Sequence, residues 1–194
     1  MRAQVHTLEA IVAALLMVTS ILFALQITAV TPLSASTSSQ HIENQQQASV
    51  EGVLSGAAEN DELRPALLFW NESSGQFHNT TSDDFYSSRA PPNAFGDRLE
   101  RAFGDQGIGY NAYVIYKTAG GGRRVQEMVY QGEPSDNAVR AGRTVTLTDD
   151  ATLYDHEGRE TEIPVNRSNF YAPDVSPESG TYSVLRVEVV VWRI

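Results

Sequence analysis

The feature that most constrains this chain is an apolar run near its start, from Ala10 to Val30, that contains no charged residue. A membrane-spanning helix needs about 20 mostly apolar residues, since each adds about 1.5 Å across a hydrocarbon core about 30 Å thick. Polar members such as Thr19 and Ser20 are uncharged, and their hydroxyls can bond back to carbonyls of their own helix. The sequence therefore predicts a transmembrane helix over 10–30, preceded by a cytoplasmic segment over 1–9.

Two interpretations of this run remain open, an uncleaved anchor and a cleaved signal. Thr31-Pro32 is expected to end the span, because proline disfavours helical geometry at the residue before it. Ser34-Ala35-Ser36 has the small residues of a cleavage site. A secretory signal, however, has an apolar region of about 7–15 residues, and Glu9 is unusual in one. The anchor is the favoured interpretation.

The distribution of basic residues predicts the orientation of the anchor. Arg2 precedes the run, and the next basic residue is Arg64. Lys and Arg near a span stay on the cytoplasmic side. We therefore expect a single-pass protein of the cell membrane, with a cytoplasmic N-terminus and an extracellular C-terminal domain.

Three N-glycosylation motifs fall in the part predicted to lie outside. They are Asn71-Glu72-Ser73, Asn79-Thr80-Thr81 and Asn166-Arg167-Ser168. Each has the Asn-x-Ser/Thr spacing without a central proline. The pattern is short, so polar loop residues without a sugar are the alternative interpretation.

Composition excludes several classes of function. The chain has no cysteine, which removes disulfides, thiolate metal sites and cysteine nucleophiles. Its net charge is -10, from 24 acidic and 14 basic residues, and Lys117 is its single lysine. A dispersed acidic surface of this kind keeps a protein soluble at high ionic strength and argues against nucleic-acid binding. It resembles the composition of halophilic archaeal proteins.

Residues 31–60 are predicted to form a stalk. The segment is polar and rich in Ser, Thr and Gln, with apolar residues near helical spacing in its second half. We expect a helix from about Ser36 to Ala58 whose last turns pack on the domain that follows. A flexible polar linker is the alternative.

Residues 61–194 are expected to form one extracellular domain that begins with helices. Asp61 is predicted to cap a short helix, with Pro65 tolerated in its first turn. Asn71–Asn93 is predicted to be a loop by composition. Asn93 is then expected to cap a helix from about Ala94 to Phe103.

From Gly109 onward the hydrophobic period changes to two, which is typical of strands. Tyr182–Ile194 is the strongest strand, with alternate apolar residues on one face and a mixed second face that is expected to be partly covered. The fold class is therefore α+β: a transmembrane helix, a stalk helix, then an antiparallel sheet packed on helices. The other predicted strands are Tyr110–Thr118, Arg124–Gln131, Arg143–Thr148, Thr152–Tyr154 and Glu160–Ile163.

No motif in the chain specifies a catalytic chemistry. Four histidines (His6, His41, His78 and His156) lie in different predicted elements, without the spacing of metal ligands. A phosphate-binding loop and the Gly-x-Ser-x-Gly elbow are both missing. We therefore expect no enzymatic activity, no cofactor and no metal.

The N-terminus carries a family resemblance. Arg2-Ala3, a short polar stretch, Glu9 and the long apolar run resemble the class III signal of type IV pilins. The start Gln4-x-His6-Thr7-Leu8-Glu9-Ala10 also looks like that of small haloarchaeal pilin-like membrane proteins of uncharacterised function. The resemblance implies cleavage after Ala3, a new terminus at Gln4, and a helix that packs against copies of itself.

The same resemblance assigns a role to Glu9. A carboxylate in an apolar bundle is costly unless it is paired, and a neighbour's terminal amine would pair it. The sequence departs from the pilin pattern at two points, since Ala3 replaces glycine and Glu9 would be sixth after the cut and not fifth. A helix-start role, with Thr7 as the N-cap, is the alternative for Glu9.

Two functional hypotheses follow. In the first, the chain is a non-enzymatic pilin-like or minor-pilin subunit of the cell surface that acts through assembly. In the second, it is a single-pass membrane protein whose extracellular domain binds a ligand or an envelope component without assembling. Both predict a membrane as a partner, and the first adds other pilin-like subunits.

Overall fold

A computed structural model describes residues 2–80, 84–104 and 106–194, with the side chains of 2–5 and 27–39 outside the description. The chain divides into two compact units, one ending at Asn44 and one comprising Gln45–Ile194. The division falls inside the segment predicted as the stalk. The predicted domain boundaries at residues 9, 30 and 60 stay predictions.

The helices precede most of the strands, as expected for the α+β class. The helices are α1 (Arg2–Glu59), α2 (Leu63–Leu68) and α3 (Ala94–Leu99), followed by a π-helical turn (Glu100–Gly104). The strands are β1 (Trp70–Asn71), β2 (Gln76–Phe77), β3 (Ile108–Lys117), β4 (Arg123–Tyr130), β5 (Val139–Thr148), β6 (Thr152–Tyr154), β7 (Glu160–Pro164) and β8 (Thr181–Arg193).

The first unit is the N-terminal part of α1, and its described side chains in the apolar run are exposed on every side. The segment His6–Gln26 is long and apolar enough to cross a membrane, and none of it is buried in the protein. Thr19 Oγ1 donates to the carbonyl of Leu15 at 2.5 Å, and Ser20 Oγ to that of Leu16 at 2.8 Å. The hydroxyls thus bond within their own helix, as predicted.

The predicted break at Pro32 is wrong, because α1 is helical without interruption from Arg2 to Glu59. An interior proline costs a helix about 3 kcal/mol, because it removes one N–H donor and its ring crowds the preceding turn. The predicted stalk helix from Ser36 is therefore the continuation of α1. Positions 27–30 of the predicted span lie outside the described side chains.

The end of α1 belongs to the second unit and packs on its core. Val50, Leu54 and Ala57 are fully buried, which confirms the prediction that the last turns of this helix pack on the domain. Their spacing of four and three residues places them on one helix face. On a neighbouring face, Ser55 Oγ accepts a hydrogen bond from Arg143 of β5 at 2.6 Å.

The second unit is built around a four-stranded antiparallel sheet with the order β4-β3-β8-β5. The central strand β8 confirms the strongest strand prediction. Alternate side chains of a strand point to the same side of the sheet, and those on the inner face of β8 are almost completely buried. These residues are Leu185, Val187, Val189 and Val191.

The outer face of β8 is partly covered, although by the chain segment after β4 and not by the helix or neighbour that was expected. Trp192 lies across Gly109 of β3, where an added Cβ would come within 2.7 Å of the indole ring. Val190 pairs with Asn111, and both are buried. The Asn111 side chain donates to the carbonyl of Gly132 at 2.9 Å, so the chain after β4 folds over this part of the sheet.

Two small hairpins complete the unit. β6 and β7 pair as predicted, whereas β1 and β2 form a hairpin that begins at Trp70 and extends into the segment Asn71–Asn93, which was expected to be a loop. Aromatic packing holds this unpredicted hairpin in place. Trp70 contacts Phe77 edge-on at 5.2 Å between ring centroids, and Tyr171 at 4.9 Å.

Of the two predicted helix caps, one is confirmed and one is wrong. Asn93 has an extended backbone, and its side chain accepts a hydrogen bond from Gly96 N at 3.0 Å at the start of α3. Asp61 does not cap α2, whose N-cap position is Glu62. Asp61 adopts a φ of 52°, in the left-handed region that Asp tolerates, and so forms the turn after α1.

Candidate functional site

Glu9 lies on the exposed surface of the apolar part of α1. Its carboxylate is 3.4 Å from Nδ1 of His6, one turn earlier, and 73 % of its side chain is exposed. It falls within the span His6–Gln26, not before it. The chain therefore presents one acidic side chain inside an apolar surface that nothing in the described residues covers.

The helix-start interpretation of Glu9 is wrong. The helix begins at Arg2 and has no acidic residue in its first turn, so Thr7 lies inside it and is not an N-cap. Ala3 and Gln4 are good helix formers, which is why α1 begins earlier than the polar stretch suggested. The side chains of Ala3 and Gln4 lie outside the described residues, and cleavage between them stays a prediction.

Two of the three glycosylation motifs share one local geometry. Asn71 Oδ1 accepts the backbone N–H of Ser73 at 3.0 Å, and Asn166 Oδ1 accepts that of Ser168 at 2.9 Å. Each is an Asx turn, which favours an exposed loop. In the Asn166 motif, the Ser168 hydroxyl also donates to Asn166 Oδ1 at 2.5 Å.

The Asn79 motif differs from these two, because the side-chain amide of Asn79 is already hydrogen-bonded. Its Nδ2 donates to the carbonyl of His156 at 3.1 Å, and its backbone φ is 61°. This contact ties the segment after β2 to the β6–β7 turn. Thr81, the third residue of the motif, lies outside the described residues.

His78 and His156 come together beside this contact, although they lie far apart in the sequence. Their rings are 6.4 Å apart, and His78 Nε2 is 3.0 Å from the carbonyl of Tyr154. Burial lowers the pKa of His78, with a smaller lowering from His156. Across the described residues, no three His, Asp or Glu side chains are placed to hold a metal ion.

The structure also reveals a pocket that the sequence did not indicate. It has a volume of about 400 Å³ and lies between the β3–β4 turn and the segment after β7. Two arginines and three aromatic rings line it, and these residues are Arg124, Arg167, Tyr116, Phe170 and Tyr171. The sequence signal was Arg167 shortly before the aromatic pair Phe170-Tyr171. Its partners Tyr116 and Arg124 belong to β3 and β4, about 40–50 residues earlier, and only the fold joins them.

These features define a class of protein: an α+β domain joined to one exposed apolar helix that is long enough to span a membrane. The chain belongs to a family of unknown function, DUF7288, whose family profile matches residues 2–191. No curated protein and no solved structure matches the chain.

Proposed function

We propose that this chain is a non-enzymatic, membrane-anchored surface protein that acts as a pilin-like or minor-pilin subunit. The observation that carries the proposal is the apolar helix surface of His6–Gln26, exposed on all sides and interrupted by one carboxylate, Glu9. An exposed apolar helix of this kind must be covered, either by lipid in a membrane or by the same helix of other subunits in an assembly.

The layout of the second unit supports the same proposal. The last turns of α1 pack on a four-stranded antiparallel sheet through Val50, Leu54 and Ala57. A helix that is apolar and exposed at its start and amphipathic at its end, on a sheet domain, is the arrangement that the pilin resemblance implies. In an assembly, the early helix would pack between subunits while the sheet domain faces solvent.

The proposed role of Glu9 is to pair with the free terminal amine of a neighbouring subunit. An unpaired carboxylate among apolar helices is costly, so pairing would fix the stagger between subunits. The structure offers a second partner, His6 of the same chain, at 3.4 Å. An assembly role and an intrachain role therefore predict different results when His6 is replaced.

Three variants expressed in the native cell separate these roles. For Glu9→Ala we expect normal membrane insertion and loss of sheared surface filaments or of crosslinked multimers. His6→Ala should retain assembly, and Glu51→Ala, which changes an exposed glutamate later in α1, serves as the matched control. Assembly that survives Glu9→Ala, or that is lost equally in His6→Ala, contradicts the proposed intermolecular pairing.

Processing and topology are tested on the mature protein. We expect N-terminal sequencing to begin at Gln4, and an intact Met1 or Arg2 without co-purifying filaments would refute the pilin proposal. The proposed orientation predicts that glycan mass, if a transferase acts on the chain, lies on peptides that carry Asn71 or Asn166. The amide of Asn79 is engaged with His156 and should be the least modified.

The second candidate function is a single-pass membrane protein whose extracellular domain binds a ligand without assembling. The pocket lined by Arg124 and Arg167 is the observation that favours it. An acidic composition suited to high salt agrees with either proposal, so composition does not separate the two.

A further inference from the structure

The pocket between the β3–β4 turn and the segment after β7 is positively charged in a protein of net charge -10. Arg124 and Arg167 line it, and no Asp or Glu does. The arginine ion pairs in the described part of the chain involve Arg64, Arg98, Arg159 and Arg186. The two pocket guanidinium groups therefore have no carboxylate partner within the described residues.

The aromatic wall of the pocket is fixed in place. The rings of Phe170 and Tyr171 lie 4.1 Å apart, and those of Tyr116 and Tyr171 lie 5.6 Å apart. Tyr171 also donates its hydroxyl to the carbonyl of Leu67 at 3.1 Å. A wall held by ring packing and a hydrogen bond needs little reorganisation when a ligand binds, which favours affinity.

The lining residues indicate the chemistry of the ligand. A guanidinium group binds a carboxylate or a phosphate through two parallel hydrogen bonds. Aromatic faces accept the apolar side of a ring, and Thr118 and the glycine backbone of the turn add polar groups for hydroxyls. A volume of about 400 Å³ lies within the usual range for small-molecule sites, which begins at about 300 Å³.

We propose that this pocket binds an acidic sugar, a six-membered ring with a carboxylate, with the carboxylate on Arg124 and Arg167 and the ring against Tyr116 and Tyr171. This binding site goes beyond the proposed assembly role, since it uses no residue of the exposed apolar helix. It would allow the domain to hold a sugar of a surface polymer whether or not the chain assembles.

The test is saturation-transfer NMR on the full chain in detergent micelles, with D-glucuronate as the probe. D-Glucose serves as the neutral ligand of the same shape, sodium benzoate as an aromatic carboxylate, and sodium sulfate as a simple anion. We expect saturable glucuronate binding and at least about tenfold weaker glucose binding, because only the acid engages both charge-assisted contacts.

Variants assign the binding to this pocket. Arg124→Gln and Arg167→Gln should each weaken glucuronate binding about tenfold, and the double variant should abolish it. Arg140→Gln is the matched control, because Arg140 is exposed, has no ion pair within the described residues, and lies outside the pocket. All three substituted positions are exposed and keep a polar side chain, so the urea midpoint should stay unchanged and will report any variant that fails to fold.

Four results would overturn the proposal. They are no saturable glucuronate signal, equal binding of glucose, glucuronate binding that survives in the double variant, and equal or tighter binding of benzoate or sulfate. The last would make the pocket a site for an aromatic acid or an adventitious ion only. Loss of filaments in Glu9→Ala has no bearing on these results, so the two proposals fail separately.

Discussion

Asn111 offers the sharpest test of how the sheet's outer face is stabilised. Its side chain is fully buried and makes three hydrogen bonds. Nδ2 donates to Tyr113 Oη at 2.9 Å and to the carbonyl of Gly132 at 2.9 Å. Oδ1 accepts the backbone N–H of Gln131 at 2.8 Å. Asn111→Ala removes all three and leaves the two backbone groups without these partners.

The expected cost follows from these contacts. Each hydrogen bond contributes about 1 kcal/mol net, and a buried group left without a partner costs about 1–3 kcal/mol. We therefore expect Asn111→Ala to lower the free energy of unfolding by about 3 kcal/mol. Asn111→Asp keeps the acceptor for Gln131 N–H but removes both donors, so it should also destabilise the domain.

Urea unfolding of the full chain in detergent micelles measures this effect. Both tryptophans, Trp70 and Trp192, lie in the second unit, so their fluorescence reports on the sheet domain and not on the apolar helix. With a slope of about 2 kcal/mol per molar urea, the midpoint should fall by about 1.5 M.

Asn60→Ala is the control for Asn111→Ala, because the exposed Asn60 makes one side-chain hydrogen bond, to the carbonyl of Gly56 at 2.7 Å. It should shift the midpoint by no more than about 0.5 M. A shift for Asn111→Ala no larger than that for Asn60→Ala would show that the Asn111 side chain does not hold the loop after β4.

Two further predictions use the same unfolding assay. Ser183 is fully buried and its Oγ has no hydrogen-bond partner among the described residues, so Ser183→Ala should raise stability by about 1 kcal/mol. A less stable Ser183→Ala would show that the buried hydroxyl has a hydrogen-bond partner. Ser55→Ala is the comparison, and it should lower the free energy of unfolding because Ser55 Oγ accepts a hydrogen bond from Arg143. Burial lowers the pKa of His78 from 6.5, so its stabilising contribution is complete above pH 6.5 and is lost as the pH falls through the lower folded-state value. Wild type should therefore lose more stability than His78→Gln between about pH 7 and about pH 5. His41→Gln, at an exposed helical histidine, should follow wild type, and identical pH profiles for wild type and His78→Gln would contradict the burial argument.

The sequence predicted the large strands well because a period of two over many residues has few competing explanations. β8 was predicted as Tyr182–Ile194 and observed as Thr181–Arg193, with the expected inner face. Asn93 was also identified, since a side-chain acceptor before an apolar helix has one common use.

Three elements escaped prediction for different physical reasons. The β1–β2 hairpin has strands of two residues, too short for any periodicity, and depends on Trp70 and Phe77 packing against Tyr171. Pro32 was weighed as a helix breaker, although the helix on both sides of it persists. The arginine–aromatic pocket joins segments about 50 residues apart, which no local pattern can report.

The position of β5 at one edge of the sheet has a consequence for how the protein behaves at high concentration. On one side β5 pairs with β8, and on its other side the described residues place no strand. An open edge of this length is a template for pairing with another chain and for aggregation. Arg140 and Arg143 lie on this edge strand, and charged residues there oppose edge-to-edge stacking. Because salt screens such repulsion, pairing between β5 edges of two molecules should become easier as the ionic strength rises.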